Sequence, residues 1–461
     1  MSPRWLSPAP SGRPAPGPDF LGLGNPLPVI LADLRQTRAG VIAVVLLIAV
    51  AVALGVGVSA QERALREGSA KGANAFDLII GAPGSETQLV LSAVYLQASA
   101  LPLIDGKIFT TLNENKNVKF AAPIGFGDSF NGYQIVGTTA ALATLGDTAP
   151  LTAGRTFAHV TEAVIGADVQ IPLGATFTPV HGQRAVIGQE VEHTHLQYTA
   201  VGRMLRMGNP WDRAILVPIE AVWWVHGLPA GHAQYQDIFD LATHADEAPG
   251  ADETPEQHAA EVAAATKAAA NLPIGAPWDT NLLSGVPAIV VKPATFAAAY
   301  SLRQTYRQRT DTMAVFPAEV LIQLYSLIGD VRSLLAVISV VTQVLVIGAI
   351  LLAVLATLAL RRKTIAVLRA LGASQAYVFV TVWLNVSLMI ATGAMLGLGL
   401  GWIAAIVISR VFTDRTGLAL PVHLGAPEFI LAGSIVVIGL FLAAVPSLLT
   451  YRQPVSATLR Q

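Results

Sequence analysis

Two histidines and two glutamates within six residues form one group in this sequence that could do chemistry. The stretch reads Glu190-Val191-Glu192-His193-Thr194-His195. In a β-strand His193 and His195 would share one face with the two glutamates on the other, whereas in a turn all four could converge. Imidazole nitrogens and carboxylate oxygens suit zinc or a similar divalent ion. The pattern predicts a zinc site, and an ordinary polar hairpin tip is the alternative.

A basic stretch between two apolar runs is the second such group. Residues 361–374 carry four positive charges and no negative charge, and the 28 residues before them, 333–360, are uncharged. As a helix, the stretch would place Ile365, Leu368 and Leu371 on one face, with Gly372 ending the helix. A basic amphipathic helix between membrane spans is expected at the cytoplasmic surface. The pattern alone leaves open a positively charged loop that binds nothing.

The order of residues in this basic stretch resembles that of a known protein family. It reads Arg361-Arg362-Lys363-Thr364-Ile365-Ala366-Val367-Leu368-Arg369-Ala370-Leu371-Gly372-Ala373-Ser374 and resembles the loop after the second span in ABC permeases of the MacB/FtsX type, which usually have an acid where this chain has Thr364. The resemblance implies a homodimer that works with a separate ATPase subunit, which binds ATP and Mg²⁺. The docking residues implied are Arg361, Arg362, Lys363, Ile365, Leu368, Arg369, Leu371 and Gly372.

Short apolar runs upstream extend the resemblance. Strand-length runs ended by turn residues, mixed with helical stretches, predict a large α+β domain. Several runs occur in the order used by the periplasmic core domain of the same family. They are 117–123, Val136-Gly137-Thr138, Gly154-Arg155-Thr156-Phe157, Val164-Ile165-Gly166, Val201-Gly202 and Leu216-Val217-Pro218.

Composition predicts a membrane protein. The chain has 461 residues, of which 53% are hydrophobic and 13% charged, far from an ordinary soluble domain. Four uncharged runs are long enough to cross a bilayer: 39–61, 333–360, 370–409 and 429–451. The run at 370–409 is long for one span but short for two with a turn, and two would place the C-terminus outside. The resemblance favours one span, which implies four transmembrane helices with both termini cytoplasmic, in a bacterial inner membrane. We expect no nucleic-acid partner. The runs contain no ionisable side chain, which favours transmission of force over conduction through a polar channel.

The predicted organisation divides the chain into nine parts. Val58-Ser59-Ala60 resembles a signal cleavage site, but the long apolar run and the 38 residues before it fit a retained anchor better. The parts are 1–28, a disordered cytoplasmic tail; 29–61, an interfacial helix and transmembrane helix 1; 62–316, the α+β domain, periplasmic by the resemblance; 317–360, a stalk and transmembrane helix 2; 361–375, a cytoplasmic coupling helix; 376–411, transmembrane helix 3; 412–427, a short outer loop; 428–451, transmembrane helix 4; and 452–461, a cytoplasmic tail.

Two apolar patterns predict helix contacts. A helix over 294–330 would carry a stripe into the second span, as a stalk that packs either on a partner protomer or within its own chain. The stalk residues are Leu321, Leu324, Ile328, Val331 and Leu335. In the third span, small residues at Gly393, Gly397, Gly399 and Gly401 would permit close helix packing.

Catalytic motifs are absent from the sequence. It has no cysteine, no Gly-x-Ser-x-Gly or His-Glu-x-x-His motif, and no P-loop, since Gly106-Lys107 is followed by Ile108. We therefore expect no enzyme. The resemblance implies the permease subunit of an ABC complex that transmits ATP-driven motion to the periplasm, for export, extraction or metal-linked transport. The partners expected are an ATPase, a second copy, membrane lipid, and a lipoprotein or other periplasmic or outer-membrane protein. The alternative is a membrane-anchored metal-binding or sensor protein without an ATPase.

Overall fold

The structure is a computed structural model that divides into two compact units. It describes residues 25–97, 99–181, 191–192, 197–237, 254, 256–257, 260, 263–264, 267–268, 271–324, 337, 340–341, 344, 347–348, 351 and 373–451. One unit, here called the helical unit, contains 1–62, 332–407 and 422–461. The other, the α+β domain, contains 63–331 and 408–421.

Ten α-helices and twelve strands lie wholly within the described residues. The helices are α1 (Leu27–Gln36), α2 (Arg38–Ala73), α3 (Glu86–Ala93), α4 (Lys107–Asn113), α5 (Ala140–Ala143), α6 (Ile219–Val225), α7 (Gln234–Asp237), α8 (Phe296–Arg307), α9 (Gln375–Thr416) and α10 (Ala426–Tyr451). The strands are β1 (Leu78–Gly81), β2 (Val118–Phe130), β3 (Tyr133–Thr138), β4 (Ala153–Gly154), β5 (Glu162–Ile165), β6 (Thr176–Phe177), β7 (Val180–His181), β8 (Val191–Glu192), β9 (Tyr198–Arg203), β10 (Ala214–Pro218), β11 (Ala288–Pro293) and β12 (Met313–Val315).

The strands form one mixed sheet in the α+β domain. Its order over the described strands is β12-β1-β11-β2-β3-β10-β5-β9-β4, with β6 on β9 and β7 between β2 and β8. The pairs β3–β10 and β5–β9 are parallel, whereas the other pairs are antiparallel. Strand β10 therefore lies near the middle of the sheet.

Both faces of the sheet are covered, because alternate residues of its strands enter two separate cores. Leu78 and Ile80 belong to one cluster with residues of α4, α6 and α8. Ile79, between them in sequence, belongs to the other with residues of α3 and α5. This is the two-residue period expected of a strand. The α+β class predicted from the sequence is confirmed.

The prediction of one continuous helix over 294–330 is wrong. The chain forms α8, then strand β12, and becomes helical again only from 317. Strand β12 interrupts the helix because it pairs antiparallel with β1, from Ile79↔Val315 to Gly81↔Met313. The Thr312 hydroxyl donates to the Tyr306 carbonyl over 2.6 Å and fixes the turn between α8 and β12. Backbone pairing at the sheet edge thus overrides the helical pattern.

Two of the described helices are long and apolar enough to span a membrane. They are Arg38–Ala73 and Ala376–Thr416, and Ala426–Phe441 is a shorter apolar helix. Within the described residues, the part of the uncharged run from 375 to 409 thus belongs to one long helix rather than two. The segment between α9 and α10 is 417–425, shorter than the predicted loop at 412–427. Most of the predicted second span, 333–360, lies outside the described residues.

Candidate functional site

The predicted ATPase-docking residues lie outside the described residues, but the start of the next helix is described. Ser374 precedes α9, and its hydroxyl accepts a hydrogen bond from the Tyr377 amide over 3.1 Å. That contact is an N-cap, which satisfies one of the free amides at a helix start. The basic stretch at 361–372 is therefore followed at once by a capped apolar helix.

Three glycines of α9 pack against α2 within the helical unit. A Cβ at Gly393 would lie 2.7 Å from Cβ of Ile48, and one at Gly397 would lie 2.6 Å from Cβ of Val52. At Gly401 it would lie 2.7 Å from the Ala53 carbonyl oxygen. Residue numbers rise together along both helices, so α2 and α9 run parallel. Small residues every four positions allow this close approach.

The fourth glycine of the pattern differs from the others. A Cβ at Gly399 would meet no atom within 4 Å. We expect Gly397→Val to destabilise the helical unit by about 1 to 3 kcal/mol, because the added methyl groups overpack the contact with Val52. Gly399→Val is the matched control, and it should unfold at the wild-type temperature in detergent. Equal losses in the two variants would contradict the packing assigned to this helix face.

A buried carboxylate joins α10 to α2. Glu428 lies in the first turn of α10 and is fully buried. Its Oε1 accepts from the Ser59 hydroxyl over 2.6 Å, and its Oε2 accepts from the Gly425 amide over 2.8 Å. An acid at a helix N-terminus also interacts favourably with the helix dipole. The uncharged run 429–451 begins one residue later, so no pattern in the sequence indicated this contact.

Helix α10 runs in the direction opposite to α2 and α9. Its beginning, Glu428, contacts Ser59, near the end of the apolar part of α2. Farther along α10, Gly439 packs against Ile390 of α9. Ile390 is close in α9 to Gly393, which packs on Ile48 of α2. Gly439 therefore lies near the level of Ile48. The order along α10 is therefore reversed relative to α2. Two helices run one way and the third returns.

The ends of α2 and α9 are bonded to one loop of the α+β domain. We call residues 68–76, 207–213 and 408–421 the junction. The Asn209 side-chain amide donates to the Gly72 carbonyl in the last turn of α2 over 3.0 Å. The Arg213 guanidinium donates to the Asp414 carbonyl in the last turn of α9 over 2.7 Å. Carbonyls in a last helical turn lack partners within the helix, so the loop satisfies both ends.

The segment after α9 is folded back on the same loop. Gly417 has φ of +72°, the left-handed conformation that commonly ends a helix. The Ala419 amide donates to the Gly208 carbonyl over 3.1 Å, and the Ser409 hydroxyl donates to the Leu420 carbonyl over 2.6 Å. At Gly68 a Cβ would lie 2.5 Å from the Ala419 carbonyl oxygen. The two chain segments approach so closely there that only glycine fits.

Buried side chains hold the 207–213 loop in shape. The Asp212 carboxylate accepts from the amides of Met207, over 2.7 Å, and Gly208, over 2.6 Å. Burial raises the pKa of Asp212, and these two amides act in the opposite direction. Trp211 is buried against Phe76, with ring centroids 5.6 Å apart, and its indole N–H donates to the Val94 carbonyl over 3.1 Å. Strand β10 begins immediately after this loop, so the loop is continuous with the middle of the sheet.

The predicted stalk and metal residues are only partly described. Leu321 is buried in the core of the α+β domain together with Val320, so it packs within its own chain, and Leu324 is partly exposed. Ile328, Val331 and Leu335 lie outside the described residues, as do Glu190, His193 and His195. Glu192 belongs to β8, where it pairs with Val180. Among the side chains that are described, no three histidines or acids are grouped for a metal ion.

Comparisons with known proteins match two parts of the chain. Residues 336–455 match the family described as FtsX-like permease C-terminal. The periplasmic region of MacB from Actinobacillus actinomycetemcomitans is 11% identical, with a TM-score of 0.30, covering 55% of this chain and 94% of that one. A similarity that low carries no argument about function. No protein of curated function matches the chain in sequence. The matched residues include the glycine face and the returning helix, and the match confirms the predicted resemblance to MacB/FtsX-type permeases.

Proposed function

We propose that this chain is the permease subunit of an ABC complex that transmits ATP-driven motion to its α+β domain. The observation that carries the proposal is the junction, where α2 and α9 are both hydrogen-bonded to the loop that begins β10. Because β10 lies between β3 and β5, a shift of either helix end reaches the middle of the sheet. Packed contacts with few alternative arrangements transmit displacement rather than absorb it.

The helix directions support the proposed topology. Four transmembrane helices cross a bacterial inner membrane, with both termini cytoplasmic and the α+β domain periplasmic. Helices α2 and α9 run parallel and α10 returns, as first, third and fourth spans must in that topology. The basic stretch at 361–372 then lies in the cytoplasm, where loops rich in arginine and lysine accumulate.

The motor of the proposed complex is a separate ATPase that holds ATP and Mg²⁺, because this sequence has no P-loop. Two copies of the chain and two ATPase subunits form the complex. Its output is export or extraction of a periplasmic cargo such as a lipoprotein, passed to an outer-membrane partner, or metal-linked transport. Membrane lipid surrounds the apolar helices, and many of their large side chains are exposed, for example Ile403, Val407 and Phe441.

Reversing one charge of the basic stretch tests the docking. Arg369→Glu should abolish co-purification with the proposed ATPase subunit, because it replaces a cation on the exposed face of the predicted coupling helix. Membrane insertion should be unchanged. Arg452→Glu, in the predicted cytoplasmic tail, is the matched control and should keep the ATPase bound. If both variants co-purify with the ATPase and support normal ATP turnover, the docking assignment is wrong.

A wild-type chain that never co-purifies with an ATPase would favour the second candidate function. That candidate is a membrane-anchored metal-binding or sensor protein, and it draws on the histidine and glutamate stretch at 190–195. Its own test is zinc binding that His193→Ala and His195→Ala together abolish.

A further inference from the structure

A cleft of about 370 Å³ opens in the junction. Its walls come from the last turn of α2, the 207–213 loop, α9 and the segment that follows α9, all within the α+β domain. Apolar side chains, among them Met207, Leu420 and Pro421, form part of the lining. Pockets that hold small ligands usually measure roughly 300 to 1,000 Å³. The cleft is therefore large enough to hold a small ligand.

Two cations line this cleft, Lys71 from α2 and Arg410 from α9. Both residues are exposed, and within the described part of the chain neither side chain forms an ion pair or a hydrogen bond. The hydroxyls of Ser409 and Thr413, which belong to the same lining, already donate to backbone carbonyls. The donors that remain for a ligand are therefore the Lys71 ammonium and the Arg410 guanidinium.

The charges of the lining favour an anionic ligand. One carboxylate, that of Asp414, also lines the cleft, so two cations and one anion leave a single net positive charge. A guanidinium matches the geometry of phosphate oxygens and binds them through two parallel hydrogen bonds, and an ammonium binds phosphate as a point charge. The side chains of Lys71 and Arg410 are therefore suited to a phosphate group.

The place of Arg410 along α9 points to a phosphate that belongs to a lipid. The uncharged run of this helix ends at Ser409, so Arg410 is the first charged residue beyond it. Ile403 and Val407 precede Arg410 by seven and three residues, which places them on the same face of α9, and both are exposed. An apolar face that ends in a cation matches the acyl chains and the phosphate of a phospholipid.

We propose that the cleft binds the phosphate headgroup of an anionic phospholipid through Lys71 and Arg410. The acyl chains of this lipid lie along the exposed apolar face of α9. The bound headgroup adds a contact among the ends of α2 and α9 and the 207–213 loop, so the lipid is a component of the junction and not only of the surrounding bilayer. The choice of a lipid rests on the proposed position of the junction at the membrane surface, but the site requires no ATPase.

Native mass spectrometry of the full-length chain in detergent tests the site, with phosphatidylglycerol as the probe. The wild type should retain one phosphatidylglycerol and should bind phosphatidylcholine several times more weakly, because the choline group cancels the negative charge. Lys71→Gln and Arg410→Gln should each weaken the binding of phosphatidylglycerol about fivefold, since each removes one cation near the phosphate. Asp414→Asn should strengthen the binding, because it removes the carboxylate that repels the phosphate.

Arg415→Gln is the matched control for these variants. It removes the same charge from an exposed residue in the last turn of α9, and Arg415 is not among the described residues that line the cleft. This variant should bind phosphatidylglycerol as the wild type does. All the variants should unfold at the wild-type temperature in the absence of lipid, because the side chains replaced are exposed. If one of the two cation variants does not fold, the other decides.

Three results would overturn the site. The first is an equal loss of phosphatidylglycerol in Arg415→Gln and in the two cation variants, which would indicate a general attraction between basic residues and anionic lipid. The second is equal binding of phosphatidylglycerol and phosphatidylcholine by the wild type. The third is displacement of phosphatidylglycerol by an equal concentration of glycerol phosphate, which would make the ligand a soluble phosphate.

These measurements separate the lipid site from the proposed function. The purified chain in detergent has no sidedness and no ATPase, so lipid binding there depends only on the cleft. A chain that fails to bind an ATPase, or that crosses the membrane in the opposite direction, should still bind phosphatidylglycerol through Lys71 and Arg410. Loss of lipid selectivity in an otherwise functional permease would contradict the lipid site alone.

Discussion

Replacing Trp211 with alanine should destabilise the α+β domain by about 3 to 5 kcal/mol, the usual effect of deleting a buried tryptophan. The side chain is 1% exposed and packs on Phe76. Its removal leaves a cavity beneath the loop that holds the ends of α2 and α9. It also leaves the Val94 carbonyl without its indole partner. Urea unfolding of the full-length chain in detergent, followed by circular dichroism, measures the loss.

Two further substitutions separate the causes of that loss. Trp211→Phe keeps most of the ring volume but not the N–H group, so it should lose about 1 to 2 kcal/mol. Trp402→Ala removes the same side chain from α9 where it is 40% exposed, and it should lose much less than Trp211→Ala. Similar losses at Trp211 and Trp402 would show that the loop is not a buried anchor, and the mechanical role of the junction would lose its support.

Some of the strands could be predicted from the sequence because each of these is a local signal. Runs such as Val164-Ile165-Gly166 and Leu216-Val217-Pro218 are short, apolar and ended by turn residues, and they contribute to strands β5 and β10. The parallel helix contact was also foreseen in part, since spacing places Gly393, Gly397 and Gly401 on one face. Gly399 belongs to another face of the same helix. The local pattern could not show which glycines would meet α2.

What the sequence did not predict depends on partners far along the chain. Asn209 and Gly72 are 137 residues apart, and Ser59 and Glu428 are 369 apart. A periodic pattern in the sequence cannot show such pairs, because each partner taken alone is an ordinary residue near a helix end. The failure at 294–330 has the same origin. Strand β12 is set by its pairing with β1, whereas the apolar spacing around Leu321 reflects burial in the core of its own domain.

Under the proposed function, the junction carries motion of the helices to the sheet. Its contacts join helix carbonyls to a rigid loop through Asn209 and Arg213. Motion that passes through these two contacts requires neither a channel across the membrane nor a change in a covalent bond. What matters is that both helix ends are bonded to the loop that begins β10, so that displacement of one helix is not lost in a flexible linker. Permeases that transmit force need this property, whereas a passive anchor does not.

Cysteine labelling should give an all-or-none answer on the direction of the chain across the membrane. The chain has no cysteine, so each introduced thiol is the only target. Phe296→Cys, at a position 80% exposed in the α+β domain, should react with a membrane-impermeant maleimide in cells whose outer membrane alone is permeabilised. Ser374→Cys, beside the basic stretch, should react only after the inner membrane is opened, because positively charged loops stay inside. The cysteine-free parent is the background control. Labelling of Ser374→Cys in sealed cells would place the basic stretch beyond reach of ATP and of any cytoplasmic ATPase, and the proposed coupling could not operate.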